Sequence, residues 1–255
     1  MRGYGRYHRK RYHEKYLIMA DKQIVVATTN EHKVIEISTI VGMFGYDVIS
    51  RTAAGVPDDF DVEEDGETFE ENSFLKAKAV FDLLGGQTAA LADDSGLCVD
   101  ALDGEPGVYS ARFADEDRDF DLINETQKKQ ISRGRQDLAN NAKLLRLLDE
   151  GGFSSPQDRT ARFVSVITLI LPGDEPEVIV CRGEVEGHVD FQETGDAGFG
   201  YDPMFIPTAS ELKSGGLEKY EGKSFGVFLP DDKNLISHRF RALEKLRKNI
   251  SNLNL

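Results

Sequence analysis

Two acids stand side by side at Asp93 and Asp94, directly after the apolar run Ala89–Ala92 and ahead of Ser95 and Gly96. Carboxylates at the end of a buried strand can hold Mg2+ or take a proton from water. Neighbours in a strand point to opposite faces, so only one of the two should serve a given site. The same residues also fit a type I turn opened by Asp, with Leu97–Val99 as a short return strand. A second polar stretch runs Thr28, Thr29, Asn30, Glu31, His32, Lys33. It lies between the apolar run Ile24–Ala27 and helically spaced Val34, Ile37, Ile40 and Val41. A helix N-terminus offers backbone N–H groups and a positive dipole end to phosphate oxygens. Lys33 adds charge one turn in. The plainer alternative is an N-cap by Thr29 or Asn30 with Lys33 solvated. The glycines of a GxxxxGK[ST] loop are absent.

Three more stretches carry chemistry-bearing types. The loop 58–67 holds Asp58, Asp59, Asp61, Glu63, Glu64, Asp65 and Glu67. It reads either as a solvated face or as the source of a second metal carboxylate, and the loop alone does not say which acid serves. In Gly198-Phe-Gly-Tyr-Asp-Pro203, glycines let backbone approach a ligand and Phe199 offers a flat ring for a base. A turn into a strand is the alternative. Lys233, Ser237, His238 and Arg239 open the last helical stretch. His238 and Arg239 are donors suited to carbonyl oxygens, and Ser237 could cap a helix by itself. Phosphates, a metal and a flat ring together describe a nucleotide hydrolase.

The elements that must position these groups follow from patterning. Strands are expected at Ile24–Ala27, Asp47–Ser50, Thr88–Ala92, Arg162–Leu171 and Val178–Glu184, the last two as a hairpin about Pro172–Pro176. Helices are expected over Val34–Val41, Thr68–Leu84 (stopped by Gly85-Gly86), Asp119–Arg133, Ala139–Asp149 and Lys233–Lys248. No repeat and no Pro/Ser linker divides the chain. Mixed helices and strands throughout argue one α/β body with two lobes. At 255 residues, 40% hydrophobic, it can bury a sizeable core.

The net charge is −14, although residues 1–19 (MRGYGRYHRKRYHEKYLIM) are basic, so the rest is more acidic still. Such a body repels a nucleic-acid backbone and needs a local basic site or a divalent cation to hold a polyanion. Residues 1–19 read as a disordered extension or a misassigned start before Met19, with 20–255 as the folded domain. Cys98 and Cys181 lie in apolar runs and read as small buried hydrophobes, not a disulfide framework or zinc cluster. No apolar run nears a membrane span and no secretory signal is evident, so a cytoplasmic protein is expected.

Five segments, in order, carry a resemblance: ATTNEHK (Ala27–Lys33), EEDGETFEENSFLKA (Glu63–Ala77), ALADDSGLCVDALDGEPGVYSARF (Ala90–Phe113), GFGYDP (Gly198–Pro203) and KNLISHR (Lys233–Arg239). In these, the sequence resembles the inosine triphosphate pyrophosphatase family, also called Ham1-like or RdgB-like. The resemblance covers about Gln23 to Lys248. It implies hydrolysis of ITP, dITP and XTP to the monophosphate and pyrophosphate, a Mg2+ cofactor and a homodimer. It also implies an elongated mixed β-sheet flanked by helices, two-lobed with a central cleft. Residue by residue, it implies a triphosphate loop containing Thr28, Asn30 and Lys33, with Thr29, Glu31 and His32 in the same stretch. Asp94 becomes the catalytic, Mg2+-binding aspartate and Glu64 the second metal carboxylate, with Glu63 its near rival. Lys76 is assigned to phosphate and Ser95 to substrate, and Ser95 and Gly96 are expected to let a phosphate approach. Phe199 stacks on the purine, with Gly200, Tyr201 and Asp202 in the base loop, and Lys233, His238 and Arg239 read the base and its 6-keto oxygen. Departures are Phe240-Arg241, where the family has Gly-Gln, and a looser Ser214–Pro230 segment. A pyrophosphatase for modified pyrimidines or dUTP, and a non-catalytic nucleotide sensor or RNA-associated protein using the basic extension, are the rival readings.

Overall fold

The structure is a computed structural model that describes residues 23–43, 45–116 and 133–252. The basic stretch 1–19, and the helix expected over 119–133 up to its last residue, lie outside these. Short apolar runs make the first strands, β1 (Gln23–Val26) and β2 (Asp47–Ser50), joined through helix α1 (Glu31–Met43). Helix α2 (Phe69–Leu83) follows, then the long strand β3 (Ala89–Val99), helix α3 (Arg133–Glu150) and strands β4 (Thr160–Leu171) and β5 (Glu177–Val189). Strand β6 (Phe205–Pro207), and helices α4 (Ala209–Gly215), α5 (Pro230–Asn234) and α6 (His238–Asn252), complete the order.

The strands form one six-stranded mixed sheet in the order β2-β1-β3-β4-β5-β6. β1 runs parallel to both neighbours, with Gln23 opposite Asp47 and Ile24 opposite Ala89. β5 and β6 are antiparallel, with Val189 opposite Phe205. The neighbouring β4 and β5, joined through 172–176, are the expected hairpin pair. The α/β class read from the sequence is therefore the observed one.

The chain divides into two compact units. Among the described residues, the first contains those up to 94, 166–183 and 241–252. The second contains 95–165 and 184–240. The first unit's core is built from Val25, Ala27, Ala77, Val80, Phe81, Ala90, Ala92 and Ile170. In the second unit, Leu97, Leu144, Leu148, Phe163, Val185, Phe205 and Phe225 are buried together, with the Phe163 and Phe205 rings 4.6 Å apart. Burying a side chain of this size contributes roughly 1.5–3 kcal/mol. Of the apolar residues that set the helical period, Ile37, Ile40, Ala77, Val80, Leu144, Leu148, Leu243 and Leu246 are buried, whereas Phe74 and Leu83 are exposed.

Three expectations change. No turn interrupts Asp93–Gly96: β3 is continuous from Ala89 to Val99, so Leu97–Val99 is its second half and not a return strand. An Asp favours a turn by bonding its own backbone, and here both carboxylates are buried and held by lysines instead. The expected last helix is two helices. Ser237 caps the second, its Oγ accepting the Phe240 N–H at 3.2 Å, and α5 begins on Pro230. Cys181 is buried as expected, but Cys98 is only half-buried.

Candidate active site

In the first unit, one helix organises the acidic groups. α2 starts at a capping box: Thr68 Oγ1 accepts the Glu71 N–H at 3.2 Å and Glu71 Oε2 accepts the Thr68 N–H at 3.0 Å. Asn72, Ser73 and Lys76 then project from it toward the loop and β3. Asn72 clamps both backbone groups of Gly66, accepting its N–H at 2.9 Å and donating to its carbonyl at 3.3 Å. This pins the end of the acidic loop. Ser73 Oγ lies 2.9 Å from Thr168 Oγ1 on β4 and 3.3 Å from the Ala92 carbonyl on β3. Lys76 Nζ donates to Glu64 Oε2 at 2.9 Å and to Asp94 Oδ1 at 2.6 Å. Glu64 is half-buried while the other six acids of the loop are exposed. That separates Glu64 from Glu63.

Strand alternation splits the two aspartates as expected. Asp94 pairs with Lys76, whereas Asp93 pairs with Lys33 at 2.9 Å. Burial pushes the Asp94 carboxyl above the usual carboxylate range, against the opposing pull of Lys76 and Lys33. Burial likewise opposes the charge on Lys76, but Asp94 and Glu64 together hold its ammonium above its ordinary value. Asp94 Oδ2 is buried and accepts no hydrogen bond among the described residues. An orphaned buried carboxylate oxygen is costly unless a ligand completes it. With the half-buried Glu64 attached to the same lysine, the donor set is hard oxygen and fits Mg2+. Among the described residues no group of three or more His, Cys, Asp or Glu is arranged to hold a metal. A cation here would therefore draw its remaining ligands from water and substrate oxygens.

The loop between β1 and α1 is closed by its own side chains. Thr28 Oγ1 accepts the Asn30 N–H at 3.1 Å, and Asn30 Oδ1 accepts the Lys33 N–H at 3.3 Å. Asn30 is thus the N-cap. Thr29, Glu31 and His32 are exposed. Lys33 is not the solvated lysine of the plainer reading: its side chain is only 15% exposed and is paired.

The second unit holds the aromatic and cationic groups. Arg239, fully buried, donates from Nη2 to Ser95 Oγ at 3.1 Å. His238 is buried and stacks on Phe163, ring centroids 4.9 Å apart. Lys233 Nζ pairs with Asp202 Oδ2 at 2.7 Å, and the same oxygen accepts the Phe199 N–H at 2.8 Å. The half-buried Phe199 ring has Lys233 Nζ 5.0 Å and Arg239 Cζ 5.9 Å from its centroid. Tyr201 is buried and its hydroxyl donates to the Ser110 carbonyl at 2.9 Å. Tyr201 and Asp202 therefore brace the 198–202 loop from behind, while Phe199 is its accessible ring. Gly198 has φ 77° and Gly200 φ 61°, the left-handed region. A Cβ at Gly198 would also collide with the Asp202 carboxylate.

Gly96 has a packing role in its own chain. A Cβ there would collide with the Gly107 carbonyl and Ser110 Oγ, so its smallness serves the packing of its own chain. Sequence reasoning also passed over Asn72, Ser73, Asp137, Asn140 and Asn141, all on helices. Asn and Asp are weak helix formers in helix interiors, so Asn140-Asn141 within an apolar-periodic helix was the available signal. Asn140 accepts the Ala114 N–H at 2.8 Å and donates to the Ser110 carbonyl at 3.2 Å, and Asn141 donates to the Gly200 carbonyl.

The model of the Ham1 family matches residues 24–249. The chain is 42% identical to a dITP/XTP pyrophosphatase of Exiguobacterium sibiricum, over 88% of this chain and 94% of that one. It is 40% identical to a dITP/XTP pyrophosphatase of Brucella melitensis, over 87% of this chain and 90% of that one. Among solved structures, the Staphylococcus aureus Ham1 protein aligns with a TM-score of 0.65 at 36% identity, covering 90% of this chain and 98% of that one. A HAM1 protein from Coxiella burnetii aligns with a TM-score of 0.67 at 31% identity and the same coverage.

Proposed function

The chain belongs to the Ham1 family, and from that premise we propose that it hydrolyses non-standard purine nucleoside triphosphates (ITP, dITP and XTP) to the monophosphate and pyrophosphate. The observation that carries this reading is Asp94. It is buried, one oxygen lies on Lys76, the other accepts no hydrogen bond among the described residues, and Glu64 shares the same lysine. A carboxyl raised by burial is suited to taking a proton from an attacking water. Glu64 and Asp94 would hold Mg2+, which when bound supplies neutralising charge to the polyphosphate. Lys76 orients Asp94 and offers its charge to phosphate oxygens, and Lys33 does the same beside Asp93. Thr28 and Asn30 shape a loop whose backbone N–H groups, with Thr29, Glu31 and His32, meet the phosphate tail.

The residues of the second unit have the chemistry to hold a purine base. Phe199 supplies a stacking face, with Gly200, Tyr201 and Asp202 forming its loop. Lys233, His238 and Arg239 are donors, and Ser95 is a hydroxyl beside Arg239. Hypoxanthine and xanthine present an acceptor at position 6, where adenine presents an amine. Donors facing that position pair with the first and leave the second unmatched, a large penalty in a buried site. The reading includes a homodimer in the cytoplasm. It includes no nucleic-acid partner, which the net charge of −14 supports. It includes no membrane partner either, and no helix among the described residues is long and apolar enough to cross a membrane.

Phosphorus NMR of the reaction with ITP and Mg2+ tests the chemistry. Pyrophosphate should appear in step with the monophosphate, and chelation should stop it. Release of orthophosphate with the diphosphate would contradict the proposal.

A further inference from the structure

Three successive peptides of the 198–202 loop are tied down by side chains. The Phe199 N–H is held by Asp202 Oδ2 at 2.8 Å. The next N–H, of Gly200, donates to Asp137 Oδ2 at 3.0 Å. The Gly200 carbonyl accepts from Asn141 Nδ2 at 3.2 Å. A residue has two soft backbone dihedrals, and they are set by the peptides on either side of its Cα. Asp202 anchors the peptide before Phe199 and Asp137 the peptide after it. Asn141 anchors the one beyond. The Phe199 carbonyl also accepts the Asp202 N–H at 3.2 Å, so the direction in which the Phe199 ring leaves the chain is set jointly by Asp202 within the loop and by Asp137 from α3, with Asn141 holding the next peptide in place. Asp137 and Asn141 lie four apart and so share one face of that helix.

Asn141 is 1% exposed, and its Oδ1 accepts no hydrogen bond among the described residues. A buried carbonyl left that way costs about 1–3 kcal/mol. An apolar side chain such as the nearby Leu144 or Leu148 would pack there without that penalty. The feature of Asn141 that an apolar residue lacks is the N–H it gives to Gly200.

We propose that Asp137 and Asn141 are positioning residues that aim the Phe199 ring at the purine, so that α3 sets base affinity without taking part in the chemical step. This rests on the reading of 198–202 as the base loop. The test compares Asp137→Ala, Asp137→Asn and Asn141→Leu with Phe199→Ala. Each is assayed for kcat and KM on ITP and for competitive inhibition by inorganic tripolyphosphate, which has no base. Circular dichroism checks the fold.

The KM of Asp137→Ala and Asn141→Leu should rise about tenfold, the equivalent of one lost hydrogen bond, with kcat within about twofold. Tripolyphosphate inhibition should be unchanged, and Asp137→Asn, which keeps an acceptor oxygen, should restore KM. Asp137 is half-buried, so its truncation carries the test if Asn141→Leu fails to fold. An unchanged KM in folded Asp137→Ala, with Phe199→Ala raising it, overturns the proposal. So does tripolyphosphate inhibition weakened by the same factor as KM. If Phe199→Ala itself leaves KM unchanged, the base-loop reading falls and the proposal with it.

Discussion

Asp93 and Asp94 are the same residue one position apart, and their neighbours make them different. Asp93 faces Lys33 and Asp94 faces Lys76, with Glu64 on the same ammonium. This division was legible from the two-residue period of a strand. The continuity of the strand was not, because a local turn preference is visible in sequence and the lysines that override it come from α1 and α2. Asp94→Asn keeps the size and an acceptor for Lys76 but cannot take a proton, so kcat on ITP should fall at least about a hundredfold with an unchanged circular dichroism spectrum. Lys76→Ala should cost about 3 kcal/mol, because it leaves a buried carboxylate without its nearest counter-charge. Its pH dependence has a definite sign. Burial raises the Asp94 carboxyl, so the native state binds more protons than the unfolded chain. The stability linked to this group is present at low pH and lost as pH rises through the raised pKa. Without Lys76 that pKa rises further, so the deficit of Lys76→Ala against wild type should widen from pH 5 to pH 8 in urea denaturation.

Among the elements, α2 and the 198–202 loop carry most of the positioning. The bounds of α2 could be read from Thr68 at its start and Gly85-Gly86 after its end, because caps are local. Thr68→Ala should destabilise the protein by about 1 kcal/mol, measured as a shift in the urea midpoint. The division of the last helix escaped detection. The apolar period continues from Lys233 through Ile250, although Ser237 was legible as a helix cap and the structure uses it as one. The polar side of α3 was also missed, since its partners Gly200, Ser110 and Ala114 are distant in sequence and periodicity reports only the apolar side. In the loop, Gly198→Ala forces a Cβ into the left-handed region and against the Asp202 carboxylate. The backbone term alone is about 1–2 kcal/mol. The variant should raise KM for ITP more than it lowers kcat.

For the whole molecule, a net charge of −14 is hard to reconcile with a polyanionic substrate until the charges are located. The lysines at 33 and 76 sit directly on the aspartates, and the buried Lys233, His238 and Arg239 are gathered in the other unit. On the proposed function, acidity elsewhere would disfavour longer polyanions, and the lysines beside the aspartates would favour the phosphates of a nucleotide. Deleting residues 1–18 should therefore leave turnover of ITP unchanged, checked by steady-state kinetics. Class and sheet content were readable from alternating patterns, and the site motifs from their order along the chain. Strand order and the partition into two units depend on pairings distant in sequence, which periodicity does not encode. The central claim is one of base selection by donors at position 6. It is tested most directly by kcat/KM for pyrophosphate release from ITP, dITP, XTP, GTP, ATP and dTTP under one set of conditions. The account predicts that ITP, dITP and XTP exceed ATP by at least about a hundredfold; equal values for ITP and ATP would contradict it.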